Sequence, residues 1–522
     1  MRYTLQVLLF NELDFNLMKK ILGGLLAIII LLATYVISVV YTGKNVENTL
    51  AERSTIINRS GIFEIVSRDY QRNWISADET IVVRIKPQVL SQFEKHVPKT
   101  LNGFLQDNIT MQSHVQYGPW LGDHIGQAQV TTQLKFSENA TKMLKQLFGD
   151  VQAVSIQDEI AWNGSGSLKI NISPFDYQEL SGIHWVWKGL ESVTQYSAHY
   201  QNYQTHISAP NMTLTLADLG EIAWSNLAYH IQHKGNDILP EGNSVLSLQD
   251  FLMKWDKSVD HKIQLNELIN MVSDLQIGAF INPTVSAPPS EIHLKNFRFE
   301  AETNVENDMA NMVGKVALEH LRYGESVYQN LNVIASAQHI HAKALQTLKA
   351  KMAEIANAED EQWRQSVLTA LRQEGAAIFT HNPTFQLERL NLETPAGLIT
   401  MNADFTLRDV KNEDLEDIQK LLPKIIAHAQ YDIPQALPEK FTQSQIQQFF
   451  HTDNDKDWQD MQETIRAMVQ NTLDSMHKEG LIQIEQERIS GNLKLENRRL
   501  LMNDHEIELP QPENEELEEE DI

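Results

Sequence analysis

Apolar and polar residues alternate along most of the chain, the period of a strand with one face in a core and the other in water. In "AQVTTQLKF", Ala128, Val130, Thr132, Leu134 and Phe136 fall on one side and Gln129, Thr131, Gln133 and Lys135 on the other. The pattern recurs in "ETIVVRIK" (Ile81, Val83, Ile85), "MTLTL" (Met212, Leu214, Leu216) and "HLKNFRFEA" (Leu294, Phe297, Phe299). "FQLERLNL" and "LITMNADFTL" continue it, and "NGSGS", Asn163 to Ser167, has the composition of a hairpin tip. Helical spacing replaces alternation at Ala342 to Ala356, Trp363 to Phe379 and Trp458 to Met476. "NDMANMVGKVALEHL" fits both periods: Met309, Met312, Val316 and His320 as a helix, Met312, Gly314, Val316 and Leu318 as a strand. Together these elements predict an α+β, β-dominated fold, a long twisted antiparallel sheet with several packed helices. "NPTVSAPPSE", Asn282 to Glu291, holds three prolines and marks where the domain would divide into two sub-domains.

One segment follows neither period. Residues 21–41, "ILGGLLAIIILLATYVISVVY", are uncharged, and as a helix of 21 residues at about 1.5 Å each they span the roughly 30 Å hydrocarbon core of a bilayer. Lys19 and Lys20 precede the run, so the positive-inside rule keeps that end in the cytoplasm. A cleaved signal has a shorter apolar core followed by a small-x-small site, and the residues around Ala33 and Ser38 do not supply one. The expectation is an uncleaved anchor over 18–42, with Tyr35 and Tyr41 in the interfacial belt and everything after it exported. Met18 opens the charged segment, and residues 1–17 read as an extension upstream of it.

Charge and composition then narrow the partners. The chain has 522 residues, 69 acidic against 43 Lys and Arg, and a formal charge of -26, the opposite of a phosphate-neutralising footprint. Nucleic acid is not an expected partner. The tail "PENEELEEEDI" carries seven acids and no base, so residues 509–522 are expected to stay solvated and disordered, and 43–508 to form the exported domain. No cysteine is present, which removes disulfides, thiol nucleophiles and cysteine-based metal sites.

Four stretches resemble a known family. "YQRNWIS", with Tyr70, Arg72, Trp74 and Ser76, is similar to the Tyr-x-Arg-Gly-aromatic-x-Ser pattern of the YdgA/YihF-like family of uncharacterised bacterial inner-membrane-anchored envelope proteins. "YTGKNVE" supplies Tyr41, Thr42, Gly43 and Glu47 directly after the apolar run, and "VQYGPWL" supplies Gly118 and Pro119. "FTHNPTFQLERLNLETPAG" contains Pro383, and "LENRRLLMND" resembles the family's closing strand. The order of these stretches over residues 19 to 508 is more specific than any one of them. Asn73, Tyr117, Asn382, Arg498 and Asp504 depart from the pattern, and Tyr117 stands where the family has His, which argues against catalysis there. The resemblance implies a bacterial inner-membrane protein with a periplasmic, β-rich domain and no established activity.

Chemical motifs are sparse. No phosphate-cradling Gly-rich loop, no Gly-x-Ser-x-Gly elbow and no His-Glu-x-x-His are present, and no cofactor, metal or catalytic residue is expected. The pairs His230 with His233 and His339 with His341 lack the further ligands a zinc site needs, and Glu319 with His320 read as an ordinary helical pair. Trp185 and Trp187 lie two apart, both on one face of a strand, as core or as a ligand-stacking wall. Phe449 and Phe450 read as the buried stripe of a helix. Three function classes follow. The first is a non-enzymatic, membrane-tethered periplasmic protein that binds or scaffolds envelope components, a lipid or an envelope protein or a second copy. The second is a lipid carrier using an apolar groove of the sheet. The third is a periplasmic hydrolase whose groups converge from distant positions.

Overall fold

The computed structural model describes residues 63–73, 76–86, 107–117, 128–161, 163–198, 201–234, 241–256, 290–356, 363–415, 417–449 and 455–507, with Leu50, Ala51, Ser54 and Leu239. The segments 1–17, 21–41, 282–289 and 509–522, on which an extension, an anchor, a linker and a tail are expected, lie outside the described residues. Among the described residues no helix is long and apolar enough to cross a membrane.

Among the described residues strands dominate, and twenty-two of them join one sheet in which each pairing is antiparallel. The first nine are short: β1 (Phe63–Arg72), β2 (Ser76–Ile85), β3 (Ile109–Tyr117), β4 (Ala128–Lys135), β5 (Val154–Ile160), β6 (Gly166–Ile172), β7 (Phe175–Gln178), β8 (Ile183–Trp187) and β9 (Leu190–Tyr196). Six long strands follow, β10 (Asn202–Leu216), β11 (Gly220–Lys234), β12 (Glu241–Trp255), β13 (Glu291–Glu306), β14 (Met309–Tyr323) and β15 (Ser326–His341). The sheet closes with β16 (Thr384–Thr394), β17 (Gly397–Leu407), β18 (Ile425–Pro434), β19 (Gln483–Glu485), β20 (Arg488–Glu496), β21 (Arg499–Met502) and β22 (His505–Ile507). The ambiguous stretch around Met312 is thus strand, and Glu319 and His320 stand on β14 and on no helix. Neighbours in sequence are mostly neighbours in space. The exceptions are β9 pairing with β6, β8 pairing with β10, and β20 inserted between β18 and the short β19 and β21.

Among the described residues the α-helices are α1 (Glu138–Phe148), α2 (Ala342–Ala356), α3 (Trp363–Gln373), α4 (Ala376–Phe379), α5 (Ile418–Leu421), α6 (Ala436–Phe449) and α7 (Asp455–Lys478). Ser137 caps α1, its Oγ accepting from the Ala140 N–H at 3.3 Å, and Gly149 ends it with φ of 63°. Between those ends Ala140, Leu144, Leu147 and Phe148 are buried against the first ten strands. The helix expected over Trp363 to Phe379 is two helices: the Glu374 and Gly375 N–H groups both donate to the Ala370 carbonyl, ending α3, and only glycine fits at 375, where a Cβ would stand 2.6 Å from the Leu371 carbonyl oxygen. At the far end α7 packs Val469, Leu473 and Met476 onto Tyr431, Ile433 and Ile489.

The long strands carry a feature that plain alternation does not contain. Along β11 the apolar side holds Ile222 and Trp224, then steps by three to Leu227 and continues through Tyr229 and Ile231. β13 steps from Leu294 to Phe297, β14 from Leu321 to Leu318, and β15 from Tyr328 to Leu331. A regular strand would send residues three apart to opposite faces. Here Trp224 and Leu227 pack against the same cluster, as do Met212 and Ala209 of β10. The residue within each step on the odd-numbered strands is an asparagine in the left-handed region: Asn226 at φ 50°, Asn296 at 50° and Asn330 at 52°. Register places them level with Pro210 on β10, Gln249 on β12 and Glu319 on β14, since the pairs on either side are Ser225 with Asp250, Leu227 with Leu248, Lys295 with His320, and Leu318 with Leu331. All six residues of this row are exposed. The Asn226 amide donates to Gln249 and the Asn296 amide donates to Glu319.

One left-handed residue at the same level in alternate strands creases the sheet, with the polar row outside the bend and the apolar residues of both arms inside it. Asparagine suits the position because its short amide tolerates left-handed backbone that costs other L-residues roughly 1–2 kcal/mol. The crease ends at β15, where Gln329 to Asn332 oppose only Glu393 to Asn391 of β16.

The two edges of the sheet resist extension. β1 bulges between Ile65 and Ser67 and carries Glu64, Arg68, Asp69 and Arg72, while β22 is three residues long.

Two outcomes follow from this packing. Substitution of Asn296 by Gly is expected to leave the denaturant midpoint nearly unchanged, Ala to cost about 1 kcal/mol, and Val more than Ala; a Val variant as stable as the native protein would remove the left-handed crease. His233, 5 % exposed and 4.6 Å from the Tyr203 ring, has its pKa lowered by burial against a smaller opposing pull from Glu241. The unfolded chain therefore takes up the proton first, so this contribution is complete above the ordinary histidine pKa and is lost as pH falls through the folded value. The melting temperature of His233→Phe is expected to fall less than the native one between about pH 7.5 and 5.5.

Candidate functional site

Inside the crease the long strands build an apolar trough that crosses them. One wall is the directly paired row Trp224, Phe251, Leu294, Leu321 and Tyr328, continuing from the buried Trp187 and Met212. Beyond the crease the other arm begins with Leu227, Leu248, Phe297, Leu318 and Leu331, then Tyr229, Leu246, Phe299, Val316, Val333, Leu390 and Met401. A third row is small over β12 to β15, with Ser244, Ala301, Gly314 and Ala335; Ile231 on β11 and Leu387 on β16 bound it, and it is small again at Ala403 and Ala429. The next row is bulky again over β14, β16 and β17, with Met312, Phe385 and Phe405. The small row is therefore a lane bordered by larger side chains.

Burial separates the trough from a finished core. At β10 the same face is closed, with Thr205, Ala209 and Met212 at 0 %, 1 % and 3 % exposure. From β11 to β17 the rows of Tyr229 and of Ser244 contain only half-buried residues. Gly314 gives the clearest sign: a Cβ built on it meets no atom within 4 Å. A glycine in mid-strand weakens the strand, and it commonly marks a place where something approaches the backbone closely. The lane's neighbours towards one end of the strands are covered, because α2 and α4 place Leu345, Leu348, Ala377 and Ile378 with Met312, Ala337 and Phe385. At about 4.8 Å per strand the span from β11 to β17 is roughly 29 Å.

The opposite face is polar. Cross-strand pairs join His114 to Asp78 at 2.7 Å, His184 to Asp176 at 2.8 Å, His293 to Asp250 at 3.1 Å and His428 to Asp404 at 3.0 Å. Glu300 accepts from Arg298 at 2.6 Å, and that hydrogen bond holds its carboxyl below the usual range. The histidine pairs noted in the sequence do not converge. His230 faces outward, 6.3 Å from the His206 ring, while His233 faces inward. His339 takes a left-handed conformation and His341 stacks 5.1 Å from His381. Among the described residues no group of three or more His, Asp or Glu is placed to hold a metal ion.

Trp185 and Trp187 are buried on the closed part of the trough's face, Trp185 edge-on to Phe175 at 5.2 Å and Trp187 edge-on to Trp224 at 5.8 Å. Of the other sequence-singled residues, Tyr70 packs on the small cluster of Leu50, Ala77, Val115, Ala128, Val130 and Ile160. Arg72 and Ser76 flank the β1–β2 turn, which the Asn73 N–H closes by donating to the Ser76 carbonyl at 2.8 Å. Pro383 is buried, and its carbonyl accepts from the Leu407 N–H at 3.1 Å. These described motif residues are thus distributed at turns and strand ends. Tyr41, Thr42, Gly43, Glu47, Trp74, Gly118, Pro119 and Phe450 lie outside the described residues, as does the side chain of Phe449. The trough itself was signalled by the three-residue steps at Asn226, Asn296 and Asn330, which alternation counted over short windows does not register.

No curated protein and no solved structure matches the chain. A family described as a bacterial protein of unknown function, DUF945, matches over residues 18–510. That span takes in the strands that form the crease, both walls of the trough and the helices at its end, and a YdgA-like resemblance is consistent with it. With nearly its whole length matched, the chain belongs to the bacterial DUF945 family.

Proposed function

We propose that this protein is a non-enzymatic, membrane-tethered lipid-binding protein of the bacterial envelope, whose trough holds acyl chains across the strands. The observation that carries the reading is the open lane at Gly314, unfilled space over a mid-strand glycine inside an otherwise apolar surface. Water in such a lane gains few hydrogen bonds, whereas each methylene placed there leaves water with a gain of about 0.8 kcal/mol. The span of roughly 29 Å exceeds one leaflet, about half of the 30 Å hydrocarbon core, so it accommodates a whole chain. The walls carry aromatic and aliphatic side chains and no carboxylate or lysine, which supports binding over hydrolysis.

The tether in this reading is the uncharged segment 21–41 behind Lys19 and Lys20, which places the trough in the periplasm beside the inner membrane. Such a placement supplies acyl chains at short range. It also refines the broader expectation of a binding or scaffolding role, because the bound component is lipid and the polar outer face is left to contact water or neighbours.

Gly314→Phe tests this directly. The added ring enters the lane and meets no protein atom at its Cβ, so the variant is expected to fold with unchanged or slightly raised stability. Lipid mass spectrometry of the full-length protein purified in mild detergent is expected to recover acyl lipid with the native chain and at least tenfold less with the variant. Equal lipid in both, or none in the native protein across several detergents, would sink the reading.

A further inference from the structure

The polar face of the sheet carries a set of groups that the trough does not use. Between β16 and β17 the pairing passes from Leu387 opposite Ala403 to Leu390 opposite Met401, so Glu388 and Arg389 together face Asn402 alone. Leu387 and Leu390 both lie on the trough side, and the bulge therefore turns Glu388 and Arg389 to the polar side. Over this bulge lies a cavity of about 430 Å³ that reaches across β16, β17 and β18, with Asn391, Thr400, Asn402, Gln430 and Asp432 in its lining.

Register sets these side chains in two lines. Asn391 stands between Asn332 and Thr400, and Asp432 between Thr400 and Ser490. In the adjoining line Asn402 is opposite Gln430, and Gln430 opposite Asn492. Carboxamides and hydroxyls thus follow one another at about 4.8 Å across the strands. Among the described residues the side chains of Asn391, Thr400, Asn402 and Gln430 have no protein partner, so their hydrogen-bonding capacity is open to a ligand. Asp432 is held in place by Arg488, whose Nε donates to Oδ1 at 2.8 Å while Nη2 donates to the Leu398 carbonyl at 2.9 Å. Its second carboxylate oxygen is left to accept.

This inventory selects the ligand. A carboxamide both donates and accepts, as does each hydroxyl of a sugar, so the two match with no change of ionisation on either side. Glu388 and Asp432 balance Arg389 and Arg488, which leaves the site neutral on a chain of formal charge -26. An anion meets repulsion from the chain at large and no surplus cation here. Cavities of about 300–1,000 Å³ that take small ligands are mostly apolar, and the polar lining of this one favours a ligand made of hydroxyls.

We propose that the polar face over β16, β17 and β18 binds a neutral oligosaccharide. One ring sits in the cavity among Asn391, Asn402 and Gln430, with Asp432 accepting from one of its hydroxyls and Arg389 donating to a sugar oxygen. Neighbouring rings follow the line towards Ser490. The acyl trough lies on the opposite face, so sugar and lipid occupy their sites independently.

The test uses the full-length protein in mild detergent with maltohexaose, cellohexaose and chitohexaose as neutral probes and an oligogalacturonate of equal length as the anionic one. Saturation-transfer NMR identifies what is bound, and calorimetry gives its affinity. At least one neutral sugar is expected to bind with a submillimolar Kd, and at least tenfold more tightly than the oligogalacturonate. Asn402→Ala and Thr400→Val are each expected to leave the melting temperature and the co-purifying acyl lipid unchanged and to weaken sugar binding about fivefold, the effect of one lost hydrogen bond. Ser247→Ala, on the same face but over β12, is expected to leave sugar affinity unchanged. Absence of binding by all three neutral sugars, or equal affinity for the oligogalacturonate, would overturn the proposal. Unchanged affinity in both Asn402→Ala and Thr400→Val, or tighter binding of an uncharged peptide of serine and glutamine than of any sugar, would do the same. None of these results touches the acyl-binding reading, which is tested at Gly314.

Discussion

An L-residue held at positive φ in mid-strand changes which face the following side chains occupy, and the rest of this molecule is arranged around that one backbone constraint. Without Asn226, Asn296 and Asn330 in the left-handed region, the apolar residues on one arm of each long strand would emerge on the polar face. The histidine and carboxylate ladder and the Tyr229–Phe299–Val333 row would then share one surface. With the asparagines in place, both arms keep their apolar residues inside, and the crease gives those residues something to face. Alternate strands suffice because a hydrogen-bonded neighbour has to follow the bend of the strand beside it, as Gln249 and Glu319 do by accepting from the asparagine amides.

The two ends of the sheet are held by different means. At the N-terminal end the inner face curls over α1 and becomes an ordinary core, with Leu168, Ile170 and Leu214 fully buried. Polar pairs are set into that core without being exposed: Ser113 with Thr132 at 2.8 Å, Thr194 with Thr205 at 2.9 Å, and the Tyr196 hydroxyl donating to Asp158 at 2.7 Å. Each is cheap to bury because its hydrogen bond is made. At the C-terminal end α2, α4 and α7 lie on the face and bury its outer rows. The trough is what remains between a core that closed on itself and helices that reach only part of the way.

Much of the scaffold was readable from residue order. The strands around Val130, Ile81 and Phe405 obey a period of two, the turn at Asn163 falls where its composition puts it, and the helical stretches from Ala342 and Trp458 obey 3.6. Local pattern and tertiary structure agree there, while the stretch from Trp363 breaks in two at Gly375. The crease was written in the same residues but in a different key. Leu294, Phe297 and Phe299 look like alternation with one error, and the error is the information, because an asparagine between the first two turns a mismatch into a corner. It becomes legible only when β11, β13, β14 and β15 are aligned and the same three-residue step is found at one level, which needs the pairing register. Glu319 and His320 read as a helical pair because Met309, Met312, Val316 and His320 also fit a period of 3.6, and only the pairing of β14 with β13 and β15 decides for the strand. The lane over Gly314 was beyond any local rule, since a glycine at a strand position says nothing about whether the space above it is filled.

The guarded edges have a further meaning for such an architecture. A bulged, charged β1 and a β22 of three residues both disfavour addition of a further strand, so the width of the sheet is set chiefly by the strands this chain itself supplies. Because short hairpins join β10 to β11, β13 to β14 and β14 to β15, gain or loss of one such hairpin would change that width by two strands, about 10 Å, and leave the registers on either side untouched. The sheet can thus change its extent across the strands only in whole-hairpin steps, never by a fraction of a strand.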